Sequence, residues 1–268
     1  MGPRRKKTPL EKGQELYLRG RYREALEQYL QALVQDPDDA QVHCGLGEVL
    51  EALGRPGEAL VAFEQALHLN PDLAWAHFGR GGILQGLRRY EEAAAAYRRA
   101  AGLEPTEAAF PRALGVVLYL SDDLEGSLAA YRQALQADPA DALSLYGLGL
   151  DLDALGRPEE AIVAYEQAAA ADPEDPWPHL RLAGLLARHH HPGAREHLRQ
   201  AAVLLGDDPA GHAVLAMLEG RPEEALDWLR QAVARLPESA DWLARDPDLE
   251  PLQADERFWL ILSAGRRL

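Results

Sequence analysis

The sequence predicts an all-α solenoid of about seven helical hairpins, finished by a C-terminal capping helix. Three observations predict it. A helix-stopping proline recurs at Pro37, Pro71, Pro105, Pro139 and Pro173, each 34 residues after the last. Within each interval, apolar residues fall at steps of three and four on both sides of a short break, as in two amphipathic helices. No stretch of the chain has the alternation and residue types of a strand. A lone hairpin cannot bury its own apolar face, so the copies must stack.

The second interval, Ala40 to Pro71, shows the unit most plainly. An apolar segment, Val42 to Leu53, breaks at Gly54-Arg55-Pro56, resumes from Glu58 to Leu67 and stops at Asn70-Pro71. Gly54 supplies the permissive backbone of the turn. In the first unit, about 6–37, the helices are expected over Pro9–Arg19 and Tyr22–Gln35, after a disordered basic tail over residues 1–8. Units then follow at about 40–71, 74–105, 108–139 and 142–173. The second helix keeps a small residue in step (Ala25, Ala59, Ala93, Ser127, Ala161) and an aromatic four places on (Tyr29, Phe63, Tyr97, Tyr131, Tyr165). The first helix keeps Gly13, Gly47, Gly81, Gly115 and Gly149. Pro56 and Pro158 fall in the first turn of a helix, where a missing N–H costs little. The acidic residues that follow, such as Glu58, Glu92 and Glu160, favour the positive end of the helix dipole. Much of the acidity is therefore assigned to capping and solvation.

Register slips in the sixth unit, about 176–208. Its first helix is expected from Trp177 to Arg188 and its turn at His189-His190-His191-Pro192-Gly193. Ala194 arrives one place early, and the second helix should run Ala194–Leu204. The seventh unit, about 209–237, opens with a short helix, Pro209–Leu218, and returns to pattern at Gly220-Arg221-Pro222. The tail, 238–268, carries its own apolar signature, Trp242-Leu243 and Phe258 to Leu262. The last unit of a solenoid has an apolar side with no neighbour, so the tail is assigned as its cap. A dimerisation or docking helix is the alternative.

Over residues 6–237 this pattern resembles the tetratricopeptide repeat family, with its small residue, aromatic and closing proline. Departures are modest: Leu replaces the first-helix tyrosine, and Lys12 and Arg80 stand where Leu is usual. The resemblance implies a right-handed superhelix whose first helices line a concave groove. It also implies that the second, fifth, ninth and twelfth places of each unit face a ligand. Carried over, those places give Trp75, Phe78, Gln85, Arg112, Val116, Tyr119, Tyr146, Leu150, Asp153 and Trp177 as a groove, with Glu48 and Glu51 joining Arg112 and Asp153 to orient a partner. The middle is aromatic and apolar, the composition of an interface core. Some family members clamp a peptide carboxylate with lysine and asparagine, and these groove places carry neither. Gly45, Gly79 and Gly147, inside first helices, call for close helix approach or for room for a ligand; the sequence leaves both open.

The formal charge of −15 argues against general nucleic-acid binding, which needs a basic surface. No run approaches the roughly 20 apolar residues of a membrane span, and no apolar stretch follows the basic Arg4–Lys7 cluster as in a signal peptide. Cys44 is the lone cysteine, which fits a reducing cytoplasm. Arginine bias, with lysine confined to the first twelve residues, suggests a GC-rich bacterial genome. His189 to His191, with His179 and His197, lack a metal-site spacing, and His43 beside Cys44 is adjacency only. No nucleophile elbow, Walker loop or dinucleotide fingerprint is present. The expectation is a cytoplasmic, non-enzymatic module without cofactor, binding a peptide or helix of another protein. Its rival is a self-associating homo-oligomer.

Overall fold

The computed structural model describes residues 7–265, all of whose regular elements are helical. Consecutive antiparallel pairs run α1 (Pro9–Leu18) with α2 (Tyr22–Gln35), α3 (Ala40–Ala52) with α4 (Pro56–Leu69), and α5 (Ala74–Gly86) with α6 (Tyr90–Leu103). After α7 (Ala109–Leu120) and α8 (Leu124–Ala137), pairs follow as α9 (Ala142–Ala154) with α10 (Pro158–Ala171), α11 (Pro176–Arg188) with α12 (Ala194–Leu204), and α13 (Pro209–Leu218) with α14 (Pro222–Arg235). Two short helices, α15 (Ser239–Leu243) and α16 (Glu256–Gly265), flank a 3-10 turn at Glu250–Ala254. Most of the expected basic tail lies outside the described residues, but Thr8 is ordered and caps α1 reciprocally with Glu11.

Contacts group the chain into two compact units with the boundary between Ser121 and Asp122. Such a division suits a repeat chain, where each hairpin touches only its neighbours. The first unit holds α1 to α7 and the second α8 to α16.

The turns explain the residue types at them. Gly20, Gly54, Gly156 and Gly220 all have φ between 70° and 75°, the left-handed region glycine tolerates. At the same step stand Arg88 (φ 61°), Asp122 (φ 71°) and His190 (φ 54°), so the turn geometry is held even without glycine. The sixth unit therefore keeps register through His190, and the slip lies after it, where α12 starts late. At most second-helix starts an arginine pairs with the glutamate three places on: Arg21 with Glu24, Arg55 with Glu58, Arg89 with Glu92, and Arg157 with Glu160.

Six glycines within first helices have one shared cause. A methyl group at Gly45 would stand 2.5 Å from the Tyr29 ring, and one at Gly47 2.7 Å from Phe63. Gly79 is likewise filled by Phe63, Gly81 by Tyr97, Gly147 by Tyr131 and Gly149 by Tyr165. Phe63 thus sits in a socket made by Gly47 of its own hairpin and Gly79 of the next. Close approach, not ligand room, accounts for Gly45, Gly79 and Gly147.

The tail covers the last hairpin in three pieces. Phe258, Ile261 and Leu262 of α16 are buried in one core with Leu226, Leu229 and Val233 of α14. Trp259 and Leu260, on the other side of α16, remain 43% and 67% exposed.

Candidate functional site

In the first unit two of the expected groove residues, Trp75 and Phe78, join Phe110 and Tyr97 in a connected aromatic wall. Trp75 is 42% exposed, and its ring meets Phe110 edge-on at 4.9 Å and Phe78 at 5.6 Å. Phe78 is half-buried and also packs on Tyr97 at 5.5 Å. The Tyr97 hydroxyl donates to Gln85 Oε1 at 3.0 Å. Beyond it lies Gly82, where an added methyl would stand 3.7 Å from that hydroxyl and 3.5 Å from Glu51 Oε1, in ordinary contact. Arg112 and Tyr119 on α7 are half-buried, and Val116 is exposed.

Glu48 and Glu51 close this wall on its α3 side. Burial raises the pKa of both, and Glu51 raises that of Glu48 further. Glu48 acts in turn on the Tyr17 and Tyr29 hydroxyls, and Glu51 on that of Tyr97. Cys44 is buried, its thiol pushed up to about 12 by burial and then by Glu48, which leaves it inert. The neighbouring His43 bonds the Pro37 carbonyl at 2.9 Å, as His77 does that of Pro71, so His43 and Cys44 form no working pair.

In the second unit the corresponding face is occupied by the chain itself. Residues 242–248 lie against α11. Trp242 meets Trp177 edge-on at 5.2 Å, and the Trp177 indole N–H donates to Asp208 at 3.1 Å. Arg181, fully buried, donates Nη1 to Asp246 at 2.6 Å and to Asp248 at 2.8 Å, and Nε to the Tyr146 hydroxyl at 3.2 Å. Its guanidinium also lies 5.5 Å over the Trp177 ring. Arg188 bridges Asp248 and Asp153, each at 2.7 Å. Gly184, the ninth-place residue, is a glycine because Asp248 fills the space its side chain would need. Burial works against the Arg181 charge, but Asp246, Tyr146 and Asp248 outweigh it and hold it ionised. Burial also pushes the Asp248 carboxyl up, with Arg181 pulling it back. Of the expected groove residues here, Tyr146 packs on Tyr165 at 5.9 Å and Leu150 joins the core of the unit. Tyr146, Asp153 and Trp177 are therefore already engaged.

Arg181, Asp246 and Asp248 were missed from the sequence, yet a signal existed. Arg181 stands where the series Gly45, Gly79 and Gly147 calls for glycine, one step on. A second break is Asp151, which is fully buried where Val49, Ile83, Val117 and Leu185 stand in other units. Burial pushes its pKa up to about 7, with the Ser127 hydroxyl favouring the charged form. His179 and His197 do meet, Nδ1 to Nδ1 at 3.1 Å, with both pKa values lowered by burial. His189, His190 and His191 are exposed. Among the described residues no group of three or more His, Cys, Asp or Glu side chains is placed to hold a metal. No described helix is long and apolar enough to cross a membrane.

Comparison with known proteins agrees with the hairpins. Models described as TPR repeat and tetratricopeptide repeat match residues 13–54, 40–73, 78–142, 112–176 and 154–218. No curated protein sequence matches the chain. Among solved structures, YrrB, a TPR protein described as having an unusual peptide-binding site, is 20% identical with a TM-score of 0.60. The match covers 72% of this chain and 97% of YrrB. PilF of Pseudomonas aeruginosa is 20% identical, TM-score 0.59, with 82% and 99% covered. MamA of Desulfovibrio magneticus RS-1 is 26% identical, TM-score 0.58, with 62% and 95% covered.

Proposed function

Because this chain belongs to the tetratricopeptide repeat family, we propose that it is a non-catalytic scaffold holding a peptide or helix of another protein against its first helices. What carries the reading is the second unit, whose face already receives residues 242–248, the end of α15 and the turns after it, anchored by an aromatic ring and two carboxylates. A face that accommodates one segment of this kind has the shape for another. YrrB, with its peptide-binding site, supports the same reading. The open face is that of the first unit, and Trp75 is its anchor, since its ring is the large aromatic left most accessible there. Rigid aromatic anchors of this sort dominate binding energy at interfaces. The family and the lone buried Cys44 suit an intracellular scaffold without redox or nucleic-acid chemistry.

The test is a pull-down comparing wild type with Trp75→Ala. Loss of a buried anchor should weaken a captured partner by about thirtyfold, or at least about 2 kcal/mol. Because Trp75 is 42% exposed, the melting curve should move less than for a fully buried ring such as Phe110. A partner retained at full strength by the folded variant overturns the reading. A second reading, self-association, is favoured by Trp259 and Leu260, adjacent exposed residues on α16. Light scattering that reports a concentration-independent monomer would dismiss it.

A further inference from the structure

The two faces can be laid over each other by register, and one difference between them is chemical. Glu51 and Asp153 occupy the same place three repeats apart, as do Gly82 and Gly184, and Gly86 and Arg188. In the second unit, Arg188 crosses to Asp153 and neutralises it at 2.7 Å. In the first unit the donor place is Gly86, which is exposed and has nothing within 4 Å of where a side chain would begin. Among the described residues no cation pairs with Glu51 or Glu48, which act on each other and on the Tyr17, Tyr29 and Tyr97 hydroxyls. The acidic pair is continuous with the aromatic wall through Gly82, Tyr97 and Phe78. The basic residue nearest in sequence on α5, Arg80, acts on His77 and Glu92, and Arg112 stands on α7.

We propose that the first unit's face takes a protein segment that presents arginine to Glu48 and Glu51 and an apolar side chain to Trp75 and Phe78. The partner supplies from outside the cation that the second unit supplies from α11. The inference rests on the scaffold reading above and adds the partner's chemistry. Charge complementarity selects arginine: two carboxylates side by side match its planar donor fork, and the surrounding rings favour a guanidinium over a neutral group. Burial raises the pKa of both carboxyls, and a guanidinium seated between them acts in the opposite direction, favouring the ionised pair.

The probe is the pentapeptide acetyl-Leu-Arg-Leu-Arg-Leu-amide, with its Gln and Glu counterparts in place of Arg, titrated calorimetrically into the full chain. The Arg peptide should bind at least about tenfold more tightly than the Gln peptide, a difference of about 1.4 kcal/mol, with the Glu peptide weakest. Glu48→Gln with Glu51→Gln should erase that preference, and it relieves a like-charge pair, so folding is not at risk. Gly86→Arg should close the site from within and cut binding about tenfold, whereas Gly86→Gln should not. Equal affinity for Arg and Gln peptides overturns the inference. If Trp75→Ala then abolishes both, the scaffold reading survives and only the charge assignment falls. Binding by no peptide at about 1 mM also overturns it, and the pull-down then decides the scaffold reading separately.

Discussion

The two units start from the same hairpin and treat its inner face in opposite ways. In the first, the face is acidic and aromatic, its glycine at position 86 contributes no side chain, and Trp75 stays accessible. In the second, arginines take the glycine places, and the chain lays its own acidic segment over them. The difference teaches how a repeat chain separates stability from recognition. A face intended for the chain's own end can afford buried charges, because the segment that neutralises them is tethered. The first unit's face, with no tethered segment over it, must stay folded while open, which favours rings and half-exposed carboxylates over a buried guanidinium.

The comparison breaks most visibly at Arg181. Arg181→Met should leave Asp246 and Asp248 buried without their main partner and cost about 3–5 kcal/mol in urea unfolding. The loss should appear as faster hydrogen exchange in α11 to α16, with α1 to α6 protected as before. Adding Asp246→Asn and Asp248→Asn should restore much of it, since a buried ionic cluster replaced whole is often close to neutral. A loss below about 1 kcal/mol would show that the tail is held by its apolar contacts alone.

Asp151 sharpens the contrast through pH. Its pKa rises from 3.8 toward about 7 on folding, so the folded chain binds the proton more tightly than the unfolded chain. Its contribution to stability is therefore present below about pH 4, declines through pH 7 and is flat above. Asp151→Val, restoring the residue type of Val49 and Val117, should stabilise the protein on the order of 3–4 kcal/mol more at pH 8 than at pH 4. Thermal melts at the two pH values check this; equal gains would mean Asp151 is not buried neutral. The smallest effect is at the turns. Arg88→Gly removes a left-handed arginine and should raise stability by about 1 kcal/mol, whereas Gly54→Arg should lower it similarly. Opposite signs at two equivalent places would confirm that the turn geometry, not the residue, is conserved along the chain.

Much of the fold was legible because helical periodicity is local. The spans Tyr22–Gln35, Ala194–Leu204 and Pro209–Leu218 are the same in sequence and structure. The tail was legible as a cap from the apolar run at Phe258, but not as three pieces, since the short 3-10 turn leaves no period to read. The self-occupied face was illegible for a different reason. Asp246 and Arg181 are 65 residues apart, and no repeat spacing announces an ion pair of that span. Only the misplaced arginine in a glycine series hinted at it. That Trp75 and Phe78 share a face was legible through the family pattern. Their exposure was not, because it depends on how Phe110 packs against them.

The aromatic socket also governs how the chain comes apart. Since Phe63 is clasped by Gly47 and Gly79, and Tyr29 by Gly13 and Gly45, neither ring belongs to one hairpin alone. Opening a hairpin empties a slot in the next, so neighbours share the cost of local opening and fraying is passed inward as a step of whole hairpins. Amide protection should then fall along each unit in plateaus about one hairpin wide, not as a smooth gradient toward its ends.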